Sequence, residues 1–201
     1  MNMTEAEIRV LLSKLREPDQ RAFEALYRAF ASRVEGFVLH AMSRPDEALA
    51  EEVVVDTFFA VWRAPDRFNG RSRFSTWLLG IARNQLLSRL RAERRWSSHE
   101  NLDDLPEQAD ESADPLEHVE QRQRAEALAH CADRLNPNQR SALYLMHVEG
   151  MSQGEVAEVM AIRRNTVKSR VREAIKAILP CVERFLKREG VTIPTRTGVK
   201  R

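Results

Sequence analysis

The strongest constraint on what this chain can fold into is the spacing of its apolar residues. Phe23, Leu26, Tyr27, Phe30, Val34, Phe37 and Val38 recur at steps of three and four, which lines one face of an α-helix. Leu49, Val53, Phe58, Phe59 and Trp62 repeat the pattern after Pro45-Asp46, and Phe74, Trp77, Leu78, Ile81, Leu86 and Leu90 continue it in a third, longer stripe. Pro65, Asn69 and Gly70 break the chain between the second and third stripes. Period-two alternation is rare and only seven glycines occur in 201 residues, so strands have little to start from. The expectation is an all-α chain of two small helical domains, the first over residues 1–96.

Residues 97–115, SSHENLDDLPEQADESADP, are polar, acidic and poor in apolar side chains, which predicts a flexible linker and not a core segment. Helical character resumes near Leu116, runs to about Arg134 and opens a second domain over 116–190. Asn136 before Pro137 reads as an N-cap with proline at the first helical position. Gly150 suits the C′ position of that helix. Ser152 and Glu155 form an S-x-x-E capping box, Ala161 stands where the chain must turn, and Arg164-Asn165-Thr166 opens a further helix. That helix is expected to reach Leu179 and to kink or end at Pro180, before a last amphipathic turn from Cys181 to Glu189. A basic tail, 191–201, completes the chain.

Two short helices, a tight turn and a basic second helix describe a helix-turn-helix, with Val156, Ala157, Met160, Ile162 and Val167 as its internal contacts. Arg163, Arg164, Lys168, Arg170, Arg172 and Lys176 crowd the second helix. Arginine and lysine pair with guanine edges or phosphates, and Thr166 and Ser169 can reach either. The net charge of +2 conceals a basic–acidic–basic order. Nine arginines face two acids over 63–95, eleven acids face three arginines over 97–134, and thirteen bases face six acids over 135–201. The two basic blocks are candidate polyanion surfaces. No catalytic constellation of His, Asp or Glu, no metal-ligand spacing and no cofactor motif is legible, so neither an enzyme nor a cofactor or metal is expected. No apolar run nears the roughly 20 residues of a membrane helix, and the N-terminal segment lacks a signal-peptide core, so no membrane insertion and a cytoplasmic location are expected. Cys131 and Cys181 do not make a disulfide framework and are expected as buried free thiols.

The segment MSQGEVAEVMAIRRNTVKSRVREAIKAI at 151–178, with its Thr-Val-Lys-Ser-Arg run from Thr166 to Arg170, resembles the C-terminal domain of extracytoplasmic-function (ECF) sigma factors, the short two-domain members of the sigma-70 family. FEALYRAF at 23–30, AEEVVVDTFFAVW at 50–62 and DRFNGRSRFSTWLLGIARN at 66–84 are similar to that family's N-terminal domain. The resemblance implies a transcription initiation factor that binds core RNA polymerase and directs it to promoters. The first domain would read and melt the −10 element as single strand through Phe68, Asn69, Arg71, Ser72 and Asn84, with Phe74 and Trp77 anchoring the loop as core residues. The second would read the −35 element as duplex through Arg163, Arg164, Asn165, Thr166, Lys168, Ser169 and Arg172. Leu49, Glu52, Asp56 and Phe59 would face the polymerase. The acidic linker would run through the polymerase interior along the path of nucleic acid, and an anti-sigma protein is an implied partner.

Three positions depart from the family pattern. Val55 stands where glutamine is usual, Ala161 where the turn usually has glycine, and Asn165 where glycine commonly precedes Thr166. The competing reading is a stand-alone helix-turn-helix repressor or activator. It accounts for 135–190 but leaves the Arg/aromatic loop and the acidic helix unexplained.

Overall fold

The computed structural model describes residues 3–17, 19–42, 44–96, 130–132 and 134–188. The linker at 97–115, nearly all of the helix expected from Leu116 and the tail at 191–201 lie outside the described residues. Within the described residues every regular element is a helix: α1 (Glu5–Lys14), α2 (Gln20–Ala41), α3 (Glu47–Arg63), a 3-10 turn (Pro65–Arg67), α4 (Phe74–Trp96), α5 (Pro137–His147), α6 (Gln153–Met160) and α7 (Arg164–Arg188).

Local chemistry sets most of the helix starts. Asp19 and Asp46 cap α2 and α3 by accepting from the amides of Ala22 and Leu49, each at 3.0 Å. Asn136 and Gln139 cap α5 reciprocally, and Ser152 and Glu155 do the same for α6. α1 is an addition to the sequence reading. Thr4 and Glu7 form its capping box, the Thr4 amide and hydroxyl hold the Glu7 carboxyl below its ordinary pKa, and Ile8 and Leu12 are buried.

The apolar stripes of α2, α3 and α4 close one core. Leu26, Val34, Phe37, Val53, Phe58, Phe74, Leu78 and Leu79 are fully buried in it. The same cluster continues through Leu145 of α5, Val156, Val159 and Met160 of α6, and Val167 of α7. The N- and C-terminal helices therefore meet directly, α4 against α6 and α2 against α5. Gly80 of α4 lies at this contact, where a Cβ would stand 3.9 Å from the Val159 Cα, an ordinary van der Waals distance.

Three expectations are corrected. Pro180 does not end a helix: α7 runs through it to Arg188, with Ile178, Cys181 and Leu186 buried. That uninterrupted buried stripe offsets the hydrogen bond that proline cannot make. Gly150 lies one position beyond C′, because Val148 is the C-cap of α5, yet it takes the left-handed conformation (φ 63°) expected of a terminating glycine. Cys131 and Cys181 are not free thiols but a disulfide. Their separation of 50 residues matches no spacing rule, and only the packing of the segment at 130–132 on α7 brings the two sulfurs together.

Candidate nucleic-acid interface and polymerase-facing helix

The helix-turn-helix forms as its residues require. Val156, Ala157, Met160 and Val167 are buried and Ile162 is half-buried, so the two helices seal one apolar seam. Ala161 is the pivot, at φ 52° and ψ 47°, and is the only non-glycine among the described residues with positive φ. The chain keeps the left-handed turn that glycine would adopt freely and absorbs the Cβ strain. Ala161→Gly is accordingly expected to stabilise the protein by about 1 kcal/mol. The urea midpoint would report this, and an unchanged or lower midpoint would show that the turn is unstrained.

On α7 and the turn before it, Arg163, Arg164, Asn165, Lys168 and Arg172 are exposed, while Thr166 and Ser169 are half-buried. Ser169 Oγ donates to the Thr166 carbonyl at 3.0 Å, so its proton is already engaged and it can only accept, from a donor on a base edge. The Arg164 guanidinium lies over Gly154 of α6, with Nη2 2.9 Å from where a Cβ would stand. Arg170 departs from this group. It is half-buried against α4, and its Nη1 has no hydrogen-bond partner. It faces Arg83, whose pKa is lowered by burial and by the Arg170 charge.

The loop before α4 gathers the aromatic and polar residues singled out at 68–72. Phe74 is buried and meets Phe30, Phe68 and Trp77 at ring-centroid distances of 5.0, 5.5 and 5.7 Å. Phe68 is half-buried, edge-on to Phe74, so it is a partly open face and not a free platform. Asn69 Oδ1 accepts from the Arg71 amide at 3.0 Å and fixes the bend at Gly70, which has φ 71°. Arg71 is exposed and Ser72 half-buried. Asn84 is exposed but sits ten residues into α4, about 15 Å from its first residue at 1.5 Å per residue. Phe68, Asn69, Arg71 and Ser72 are thus brought together, and Asn84 stands apart from them along the same helix.

On α3 the face predicted to meet the polymerase splits. Leu49 is buried in the core, whereas Val55 and Phe59 are 59% and 55% exposed. Glu52 and Asp56 do share one face, but both are paired with Arg89 of α4, which bonds Asp56 Oδ2 at 2.6 Å. Their ionised carboxylates raise the Arg89 pKa, the hydrogen bond to Asp56 contributing most. Sequence reading missed Arg89; one arginine among nine in its block gave no signal of its own. The Arg63 guanidinium caps the open Phe59 ring at 5.6 Å from the centroid.

Between the N- and C-terminal helices, polar contacts surround the shared core. Arg73 pairs with Glu155 at 3.2 Å, Arg83 donates to Asn138 at 3.1 Å, and Arg33 pairs with Glu149. Burial pushes the Glu155 carboxyl up, but the Ser152 amide and hydroxyl and the Arg73 charge together hold it below its ordinary pKa. Tyr144 of α5 sits against Phe37 and His40 of α2, and Gly36 leaves room for its hydroxyl. Burial first, then the Glu149 charge, pushes the Tyr144 pKa up to about 12.

These two sites match two known regions in the same order. The Sigma-70 region 2 family matches residues 26–96, and the Sigma-70, region 4 family matches residues 125–178. The chain belongs to the sigma-70 family. The chain also resembles curated proteins named ECF RNA polymerase sigma factors. It is 29% identical over 180 residues to the ECF RNA polymerase sigma factor SigK of Mycobacterium sp. (strain JLS), covering 88% of this chain and 91% of that one. It is 27% identical over 185 residues to SigK of Mycobacterium tuberculosis (strain ATCC 25177 / H37Ra), covering 89% and 95%. Its fold is also that of the sigma factor RpoE of Bartonella quintana, solved with the anti-sigma factor NepR, at TM-score 0.64, 22% identity and coverage of 80% and 96%. CnrH, solved with the cytosolic domain of CnrY, gives TM-score 0.60, 23% identity and coverage of 89% and 98%.

Proposed function

We propose that this ECF sigma factor docks on core RNA polymerase through α3, reads duplex −35 sequence with α7 and captures a single-stranded −10 base with the loop before α4. The reading divides the chain into a −10 domain over 1–96 and a −35 domain over 116–190, working in the cytoplasm where the polymerase is. It is a binding and directing role, and the chemistry of RNA synthesis belongs to the polymerase. The observation that carries it is the presence, in one chain, of both a region 2 and a region 4 match. An isolated repressor has no use for the first.

The polymerase-facing role falls on Phe59, Val55, Glu52 and Asp56, with Leu49 supporting them from the core. An exposed aromatic beside an aliphatic residue suits a partner surface that is apolar at its centre, and Glu52 and Asp56, shared with Arg89, give it a polar rim. Val55 in place of the usual glutamine makes the centre of that patch more apolar. Phe59→Asp is expected to weaken core binding by at least about tenfold, the loss of one aromatic anchor. Titration of labelled protein with core polymerase measures it, and unchanged affinity would remove α3 from the interface. An anti-sigma protein is a further expected partner, the class of protein with which the fold relative RpoE was solved.

Promoter binding requires the packed helices to part. The −35 and −10 designations place the elements about 25 base pairs apart, or about 85 Å of B-form duplex at 3.4 Å per base pair. In the packed arrangement α4 touches α6, the first helix of the −35 reader, so one body cannot reach both elements. The 33 residues at 97–129 can span at most about 110 Å, which is enough for the two halves to separate while both stay bound.

A further inference from the structure

The region 2 match begins at residue 26, yet the loop proposed to hold the −10 base is held from outside that match. α1 and the turn after it meet the segment at 66–74 three times, in antiparallel order. Arg16 pairs with Asp66 at 2.7 Å, where the segment begins. The Arg9 guanidinium lies over Gly70 at the bend, its Nη2 3.0 Å from where a Cβ would stand. The Glu5 carboxylate accepts from the Phe74 amide at 3.0 and 3.3 Å, at the first residue of α4. Residues 5, 9 and 16 share one face of a helical track, and Ile8, Leu12 and Leu15 bury the neighbouring face in the core.

The three contacts differ in weight. Arg16 and Asp66 are both two-thirds exposed, so their pair marks register more than it adds stability. Glu5 matters more. The first amides of a helix lack intrahelical acceptors and carry the positive end of its dipole, and a carboxylate satisfies both. α4 receives that carboxylate from another helix, so the direction in which α4 starts is tied to where α1 sits. Arg9 fills the space that a side chain at position 70 would take, and Gly70 at φ 71° can present only backbone there.

We propose that α1 is a positioning element for the −10 loop, in which Glu5 fixes the start of α4 and Arg9 backs the bend at Gly70, so that Phe68, Asn69, Arg71 and Ser72 are held open to an unstacked base. This rests on the −10 reading given above. The test uses full-length protein with core polymerase on a promoter it recognises, comparing wild type with Glu5→Ala, Arg9→Ala and, as a core control within α1, Leu12→Ala. Strand opening is followed by permanganate reactivity. Discrimination of the −10 sequence is followed on a template already unpaired across that element, and thermal melting is recorded for each variant. Glu5→Ala and Arg9→Ala are expected to slow opening and to blunt discrimination on the unpaired template by about tenfold, the scale of a loosened site. Core affinity and duplex −35 binding should stay within about twofold of wild type, the size of effect expected when no contact of those sites is removed.

If the losses in opening scale with melting temperature alike in Glu5→Ala, Arg9→Ala and Leu12→Ala, α1 merely supports the fold and the proposal is overturned. Wild-type discrimination retained in Glu5→Ala and Arg9→Ala overturns it as well. Wild-type protein that opens no promoter with core defeats the sigma reading itself, a result distinct from either.

Discussion

A disulfide placed across the contact between α4 and α6 is expected to silence the protein reversibly. Gly80→Cys with Val159→Cys, in a background carrying Cys131→Ser and Cys181→Ser, puts the two thiols within bonding range. A Cβ at position 80 would stand 3.9 Å from the Val159 Cα, so the two Cα atoms lie within about 5.4 Å, short of the roughly 7 Å beyond which a disulfide cannot bridge. Oxidised protein should lose at least about 20-fold in promoter-directed transcription, because its promoter-competent open population is removed, and reductant should restore it. The four-substitution protein kept reduced is the reference. Equal activity of oxidised and reduced forms would mean that transcription does not need the halves to separate.

The expectation rests on a balance within the closed form. Leu78, Leu79, Val156, Val159 and Met160 contribute to one buried cluster, and Arg73–Glu155 and Arg33–Glu149 tie its edges. Against this, Arg83 and Arg170 bring two cations together where burial weakens their hydration, and Arg170 Nη1 finds no partner. The closed form is thus held by apolar contact and opposed by charge, as expected of a contact that must come apart for function.

The second large effect is expected at Phe74. Its ring is fully buried and touches Phe30, Phe68 and Trp77, so truncation removes the hub of an aromatic cluster. Phe74→Ala should cost about 3–5 kcal/mol. That is a large share of the roughly 5–15 kcal/mol available to a domain. Phe68, which leans edge-on against the ring, loses its support with it, so strand opening should fail in the remaining folded protein. Urea denaturation and permanganate reactivity measure the two parts. A loss below about 1 kcal/mol, no more than a single deleted buried methylene group typically costs, would show that the cluster repacks without the ring.

Phe74 was readable in the sequence because its position in a three-and-four stripe marks the core whatever the loop beside it does. The helix-turn-helix was equally readable: the capping box, the turn residue and the basic helix are local signals, and each forms where expected. Elements that depend on distant partners were not. α1 went unread, and nothing in residues 5–16 says that they run along a loop about sixty residues away. Glu52 and Asp56 announce an acidic face, but not that Arg89 occupies it. Gly36 is unremarkable inside a helix until the Tyr144 hydroxyl is seen against it. Cys131 and Cys181 meet only because α7 continues through Pro180, where local propensity argues for a stop. The burial of Ile178, Cys181 and Leu186 outweighs that local preference.

The central claim is that this chain confers promoter specificity on a polymerase that lacks it. Run-off transcription by core RNA polymerase, with and without the protein, on genomic fragments that include the region upstream of its own coding sequence, tests it most directly. The account predicts new transcripts with defined starts that appear only when the protein is added. Protein that shifts duplex DNA but neither binds core nor yields a new transcript would contradict it, and would leave a stand-alone helix-turn-helix regulator in its place.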